Sequence, residues 1–111
     1  MSLKLPAPIA DYIEANKRLD LDDMMKHFAP DAVFTDNGKD FVGKAAICKM
    51  LKEEAIAVKA IFEPDTSREV KGDIVLEGPA HGEFPGSPLR FTYRFKMVGN
   101  AIQTLETTVW A

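Results

Sequence analysis

The sequence predicts an α+β domain, helices first and an antiparallel sheet after them. Three observations carry that prediction. Up to about Lys59 apolar residues recur at helical spacing, and beyond it they alternate singly. Turn signals at Lys71-Gly72-Asp73, Pro85-Gly86-Ser87-Pro88 and Gly99-Asn100 then divide the second half into four strand-like runs. Such short turns make neighbouring strands antiparallel. The clearest run, LRFTYRFKM, places Leu89, Phe91, Tyr93, Phe95 and Met97 on one face and Arg90, Thr92, Arg94 and Lys96 on the other. A sheet with one apolar face needs a cover, and the helices supply it.

Pro6 and Pro8 suit a first helical turn, after which Ile9, Tyr12, Ile13 and Asn16 recur at helical spacing. Asp20 is placed to cap a second helix, with Leu21, Met24, Met25 and Phe28 inward and Pro30 as its stop. His27, at the end of that helix, reads as a charge complementing the helix dipole. Residues 32–36 form a short strand in which Ala32, Phe34 and Asp36 share one face. Phe41-Val42-Gly43 leads into a third helix with Ile47, Met50, Leu51, Ala55 and Val58 as its apolar stripe. Gly78-Pro79-Ala80-His81-Gly82 reads as irregular or bulged. Phe84-Pro85-Gly86-Ser87-Pro88 reads as a rigid hairpin connection.

At 111 residues the chain makes one domain, residues 1–111, with residues 1–5 as a flexible or tag-derived start. Lys and Arg number 14 against 17 Asp and Glu, a net charge of −3 without a basic block, so neither nucleic acid nor an anionic membrane is an expected partner. The opening MSLKLPAP lacks the apolar core of a secretory signal, and no run approaches the roughly 20 residues of a membrane span. The single cysteine, Cys48, forms no internal disulfide and reads as a structural thiol in a reducing, cytoplasmic setting. His27 and His81 have no acidic residue at ligand spacing, so no metal is expected. No Gly-rich phosphate loop is present, so no nucleotide or other cofactor is expected.

From about Pro8 to Val109 the chain resembles the SnoaL-like and ketosteroid-isomerase-like members of the nuclear transport factor 2 (NTF2-like) superfamily. The stretches that carry the resemblance are PIADYIEANKRLDLDDMMKHFAPDAVFTDNG, FVGKAAICKMLKEE and GEFPGSPLRFTYRF. The resemblance implies a cone-shaped, strongly curved sheet wrapped by three helices, with a pocket inside. It implies a homodimer through the open sheet face. The fold hosts isomerases, cyclases, dehydratases, epoxide hydrolases and proteins without catalysis, so it does not by itself choose a reaction. The ketosteroid isomerase site pairs an Asp base with a Tyr and a protonated Asp. By resemblance the base falls on Asp36 and the tyrosine on Tyr12, while the protonated Asp falls on Phe91, which cannot donate a hydrogen bond.

Two readings of Asp36 stand side by side. It is a base shielded from water, taking a proton next to a carbonyl, or a turn residue ahead of Asn37-Gly38. Tyr12 is either an oxyanion donor or a core tyrosine, and Tyr93 is either a rival donor or cavity wall. In the last strand Thr104, Glu106 and Thr108 share a face, which would set Glu106 opposite Asp36 as a second acid. A register change of one residue would instead turn Glu106 to solvent and Leu105 inward. The expected catalytic set is thus Asp36, Tyr12 and Glu106. Phe34, Met50, Phe91, Tyr93, Thr104 and Thr108 are the expected ligand contacts, around a small apolar carbonyl compound. The rival expectation is a non-catalytic ligand-binding or dimeric scaffold domain. An epoxide hydrolase ranks below both, since Arg90 and Arg94 lie on the face opposite Phe91.

Overall fold

The computed structural model describes residues 4–110. The first three residues of the expected flexible start lie outside the described residues, and Leu5 packs against the core. Helix α1 (Ala7–Lys17) opens on Pro6, whose carbonyl accepts from Ala10 N–H at 2.9 Å. It buries Ile9, Tyr12, Ile13 and Asn16, the stripe read from the spacing. Helix α2 (Leu21–Met25) is capped by Asp20, whose carboxylate accepts from Asp23 N–H at 3.1 Å.

Strand β1 (Phe28–Asp36) starts earlier than residue 32 and ends α2 short of Pro30. The parallel pairing of Phe28 with Ile102 draws this segment into the sheet, with Ile102 N–H bonding His27 C=O at 2.7 Å. Pro30 sits in the register irregularity between Phe28 and Val33, where its missing N–H leaves no ladder bond unmade. His27 therefore lies beyond the helix end, and its Nε2 pairs with the Asp11 carboxylate of α1 at 2.8 Å instead of complementing a dipole.

Strand β2 (Lys39–Val42) returns antiparallel to β1 through Asn37 and Gly38. Both turn residues have positive φ, 49° and 88°, which Asn tolerates and Gly adopts freely. Helix α3 (Lys44–Leu51) follows and is prolonged by one π-helical turn, Lys52–Ile56. The remaining strands are β3 (Ile61–Phe62), β4 (Thr66–Val70), β5 (Asp73–His81), β6 (Leu89–Val98) and β7 (Ala101–Val109). The sheet order is β2-β1-β7-β6-β5-β3, with β4 also on β5. The expected four-strand meander is β4 to β7, and the parallel β1–β7 contact joins it to the N-terminal hairpin.

The segment from Gly78 to His81 is regular strand rather than bulge, paired in register with β6 through Ala80. Gly78 serves a close crossing. A Cβ there would lie 2.7 Å from Pro64 Cα and 2.9 Å from Asp65 N, so the chain between β3 and β4 can pass only over a glycine. The core fills the concave side of the sheet, where Phe62, Phe95, Ile9, Met24, Ile47, Leu76, Ile102 and Leu105 are fully buried.

Candidate active site

A cavity of about 190 Å³ opens between the concave sheet face and the helices. Alternation along β1 sends Phe34 and Asp36 into it, as their shared parity predicts. Tyr12 enters from α1, Met50 from α3, and Phe91 and Tyr93 from β6. These six expected residues come together on one space. Glu106, Thr104 and Thr108 do not: Glu106 and Thr108 are exposed on the outer face, and Thr104 is half-buried away from the cavity.

The reason is a bulge. Met97 of β6 pairs with Ile102 and Lys96 with Thr104, which leaves Gln103 as an extra residue in β7. The buried face therefore shifts from even to odd numbers, from Ile102 to Leu105 and Thr107. Thr107, only 3% exposed, takes the place expected for Glu106.

Thr107 holds Asp36. Its Oγ1–H donates to Asp36 Oδ1 at 2.9 Å. The turn takes its bonds elsewhere: Asn37 N–H donates to Thr107 C=O at 2.9 Å, and the Asn37 side-chain oxygen accepts from Val109 N–H at 2.9 Å. Asn37 thus performs the turn role that had been one reading of Asp36. The Asp36 carboxylate is left facing the cavity with one hydroxyl partner.

Tyr12 is 3% exposed, its ring edge-on to Phe28 and Phe95 with centroids 5.7 and 5.9 Å away. Tyr93 stacks flat on Phe62, 3.8 Å between centroids. Among the described residues neither hydroxyl bonds to another protein group, and no buried polar side-chain atom lacks a partner. Both hydroxyls therefore open on the cavity that the two rings line. Burial raises the pKa of Tyr12 well above its usual value, and the neighbouring Tyr93 and Asp36 raise it further. Burial also raises Tyr93, with Asp36 adding to it. Both phenols are consequently neutral hydrogen-bond donors over the physiological range.

Asn16 is the polar residue whose structural task the helical spacing did not reveal. Buried on α1, it donates from Nδ2 to Ala60 C=O at 2.9 Å and accepts at Oδ1 from Phe62 N–H at 2.8 Å. It ties α1 to β3 and lines the cavity floor beside Phe62. Glu54, exposed, stands at the cavity rim. None of the described lining residues is Lys, Arg or His; among mostly apolar walls stand two carboxylates, Asp36 and the rim Glu54, two phenols, and the polar Asn16, Asn37 and Thr107. Among the described residues no group of three His, Cys, Asp or Glu could hold a metal ion. Cys48 is partly buried on α3, outside the cavity, and His81 lies at the surface, 3.2 Å from Glu63.

The comparisons with known proteins agree with this architecture. A family model, the SnoaL-like domain, matches residues 9–99, and the chain belongs to that family. A Sinorhizobium meliloti protein named as a candidate polyketide cyclase is 32% identical, with a TM-score of 0.87 over 94% of this chain and 95% of that one. An NTF2-like protein from Cytophaga hutchinsonii is 12% identical, with a TM-score of 0.79 over 99% and 95% of the two chains. TerC, co-crystallised with polyporic acid, is 15% identical, with a TM-score of 0.81 over 94% and 89%. The curved sheet with its N-terminal helices is thus the NTF2-like α+β cone. None of the curated proteins matches the chain.

Proposed function

We propose that this protein is a small-molecule enzyme that works by acid–base chemistry on a carbonyl compound held in the cone. The observation that carries the reading is that the Asp36 carboxylate and the Tyr12 hydroxyl line the same cavity. Asp36 takes a proton from the carbon next to the carbonyl. The C–H electron pair moves into the C–C bond, and the carbonyl π pair moves onto oxygen. Tyr12 donates a hydrogen bond to the enolate oxygen so formed. Return of the proton at another carbon gives an isomer, and attack of the enolate carbon on a second carbonyl gives a cyclised product, from which loss of water gives a dehydrated one. The apolar walls and the lack of a cationic lining residue favour a neutral, apolar substrate. The similarity to a candidate polyketide cyclase supports a carbonyl ligand, and TerC, a protein of this fold co-crystallised with polyporic acid, supports a small-molecule one.

The experiment is binding of a panel of naphthols and steroid-like phenols to the native protein and to Asp36→Asn. A phenolate mimics the enolate, and the native carboxylate repels it. The Asn variant is expected to bind at least roughly tenfold tighter, the equivalent of about 1.4 kcal/mol. Equal binding by both proteins overturns the role of Asp36.

Phe91 supports a second reading, in which the cone binds an apolar ligand without turning it over, since an oxyanion hole built like that of ketosteroid isomerase lacks its second donor there. The proposal extends to a homodimer, which sedimentation equilibrium tests. No described helix is long and apolar enough to cross a membrane. A cytoplasmic location belongs to the same proposal and is read from the single free cysteine, Cys48.

A further inference from the structure

We propose that Tyr93 is a second hydrogen-bond donor to the ligand oxygen, forming with Tyr12 a paired-phenol hole beside Asp36. The inference rests on the acid–base reading above and deepens it.

The sheet register carries the argument. Thr107 pairs with Asp36 on one side, across the parallel β1–β7 contact, and with Tyr93 on the other, across the antiparallel β6–β7 contact. Directly paired residues point to the same face of a sheet. Asp36, Thr107 and Tyr93 therefore form one polar row across three adjacent strands, all inward. Strands lie about 4.8 Å apart, so the Asp36 and Tyr93 backbones are about 10 Å apart with Thr107 between them. The concave curvature brings the side chains of such a row toward one point.

The outer members of the row differ in how they are satisfied. Asp36 has the Thr107 hydroxyl at 2.9 Å. Tyr93 has no protein acceptor among the described residues, although its ring is fixed by the flat stack on Phe62, 3.8 Å away, and by the edge of Phe91 at 6.3 Å. An unpaired phenol on a rigid ring, inside an apolar cavity, is a prepositioned donor without an acceptor. Tyr12 is in the same condition on the helical wall opposite. An oxygen that gathers negative charge between the two walls can accept from both. The hole thus does not need an acid at Phe91.

The test uses 2-naphthol as the probe and Asp36→Asn as the host, because that host is expected to bind it tightly. Tyr12→Phe and Tyr93→Phe are added to the host singly and together. Each keeps its ring, so the Phe62 stack and the Phe95 edge contact survive. Each is expected to weaken binding about tenfold, as loss of a hydrogen bond to a charged oxygen does. Loss of affinity with Tyr12→Phe but not with Tyr93→Phe overturns the second donor and leaves the Asp36–Tyr12 reading standing. No effect of either substitution, or no binding by the host, overturns both. A ligand-free control comes from the tyrosine count: the chain has only two tyrosines, and both line the cavity. Alkaline titration of the native protein at 295 nm should show no phenolate where free tyrosine ionises. Ionisation of one tyrosine at its ordinary pH, assigned to Tyr93 by its loss in Tyr93→Phe, places that hydroxyl in water and also overturns the proposal.

Discussion

The two faces of one sheet treat charge in opposite ways. On the outer face Arg90 grips Asp65 with two bonds of 2.8 and 2.7 Å, and Arg94 bonds Asp73 at 2.7 Å. Arg90 also lies over the Trp110 ring, 4.9 Å from its centroid. These pairs stand at or near the solvent, where water and salt weaken them and their loss matters little. On the inner face Asp36 bonds the Thr107 hydroxyl and shares the cavity with two phenols, with no cation among the described lining residues. A charge there is less screened, so each neighbour counts for more. Stability alone would replace such a row with aliphatic residues. Its presence in a packed cone is the kind of local exception that function explains.

Substitutions that deform the inner face should therefore have the largest effects. Gly78→Ala forces a Cβ against the backbone of Glu63, Pro64 and Asp65, and is expected to lower unfolding free energy by about 3 kcal/mol in urea titrations. A loss under about 1 kcal/mol would mean that the crossing chain yields.

Alkali should follow closely. Tyr12 and Tyr93 are both raised by burial, so above about pH 10 the unfolded chain releases protons that the folded one retains. Stability is then fully present below the unfolded-state pKa and falls as pH rises toward the folded values. Each tyrosine contributes a slope of about 1.4 kcal/mol per pH unit in that window. Tyr93→Phe should remove its share of the slope, which urea titrations at stepped pH would read directly.

Asn16→Ala comes next. It leaves Ala60 C=O and Phe62 N–H without their buried partner, for a loss of about 2 kcal/mol by the same urea measurement. Because Phe62 carries the Tyr93 stack, weaker naphthol binding should accompany it. Thr107→Val keeps the shape and removes the hydroxyl that holds Asp36. It is expected to alter naphthol affinity severalfold while Thr107→Ser restores it, with stability changed by about 1 kcal/mol. The smallest effect belongs outside. Arg94→Met should change stability by less than about 1 kcal/mol, and added salt should shrink the difference further. A larger loss would erase the contrast between the faces.

Much of this arrangement is legible in the chain. The stripe Ile9, Tyr12, Ile13 and Asn16 has the helical period, and Leu89 to Met97 has the period of a strand, so the elements and the inward turn of Tyr93 follow from spacing. The parity of Ala32, Phe34 and Asp36 holds because nothing interrupts β1 between them. In β7 the same rule misleads. Ile102 is buried, and counting by twos from it reaches Glu106, but Gln103 is an extra residue that β6 does not match. A bulge of this kind leaves no mark in residue type, since Gln103 carries no turn or glycine signal. Leu105 was the available clue, because a leucine competes for burial more strongly than a glutamate. The end of α2 fails for another reason. Phe28 suits a helical stripe as well as a strand, and only its partner Ile102, far along the chain, decides between them.

The most direct measurement is hydrogen–deuterium exchange at the activated carbon of a small neutral ketone, such as 2-tetralone, followed by NMR in heavy water. Exchange requires proton removal next to the carbonyl and nothing more, so it isolates the step assigned to Asp36. Exchange accelerated by the native protein, and lost in Asp36→Asn while naphthol still binds, is the predicted result. Equal exchange with both proteins, in the presence of demonstrated binding, would contradict Asp36 as the base.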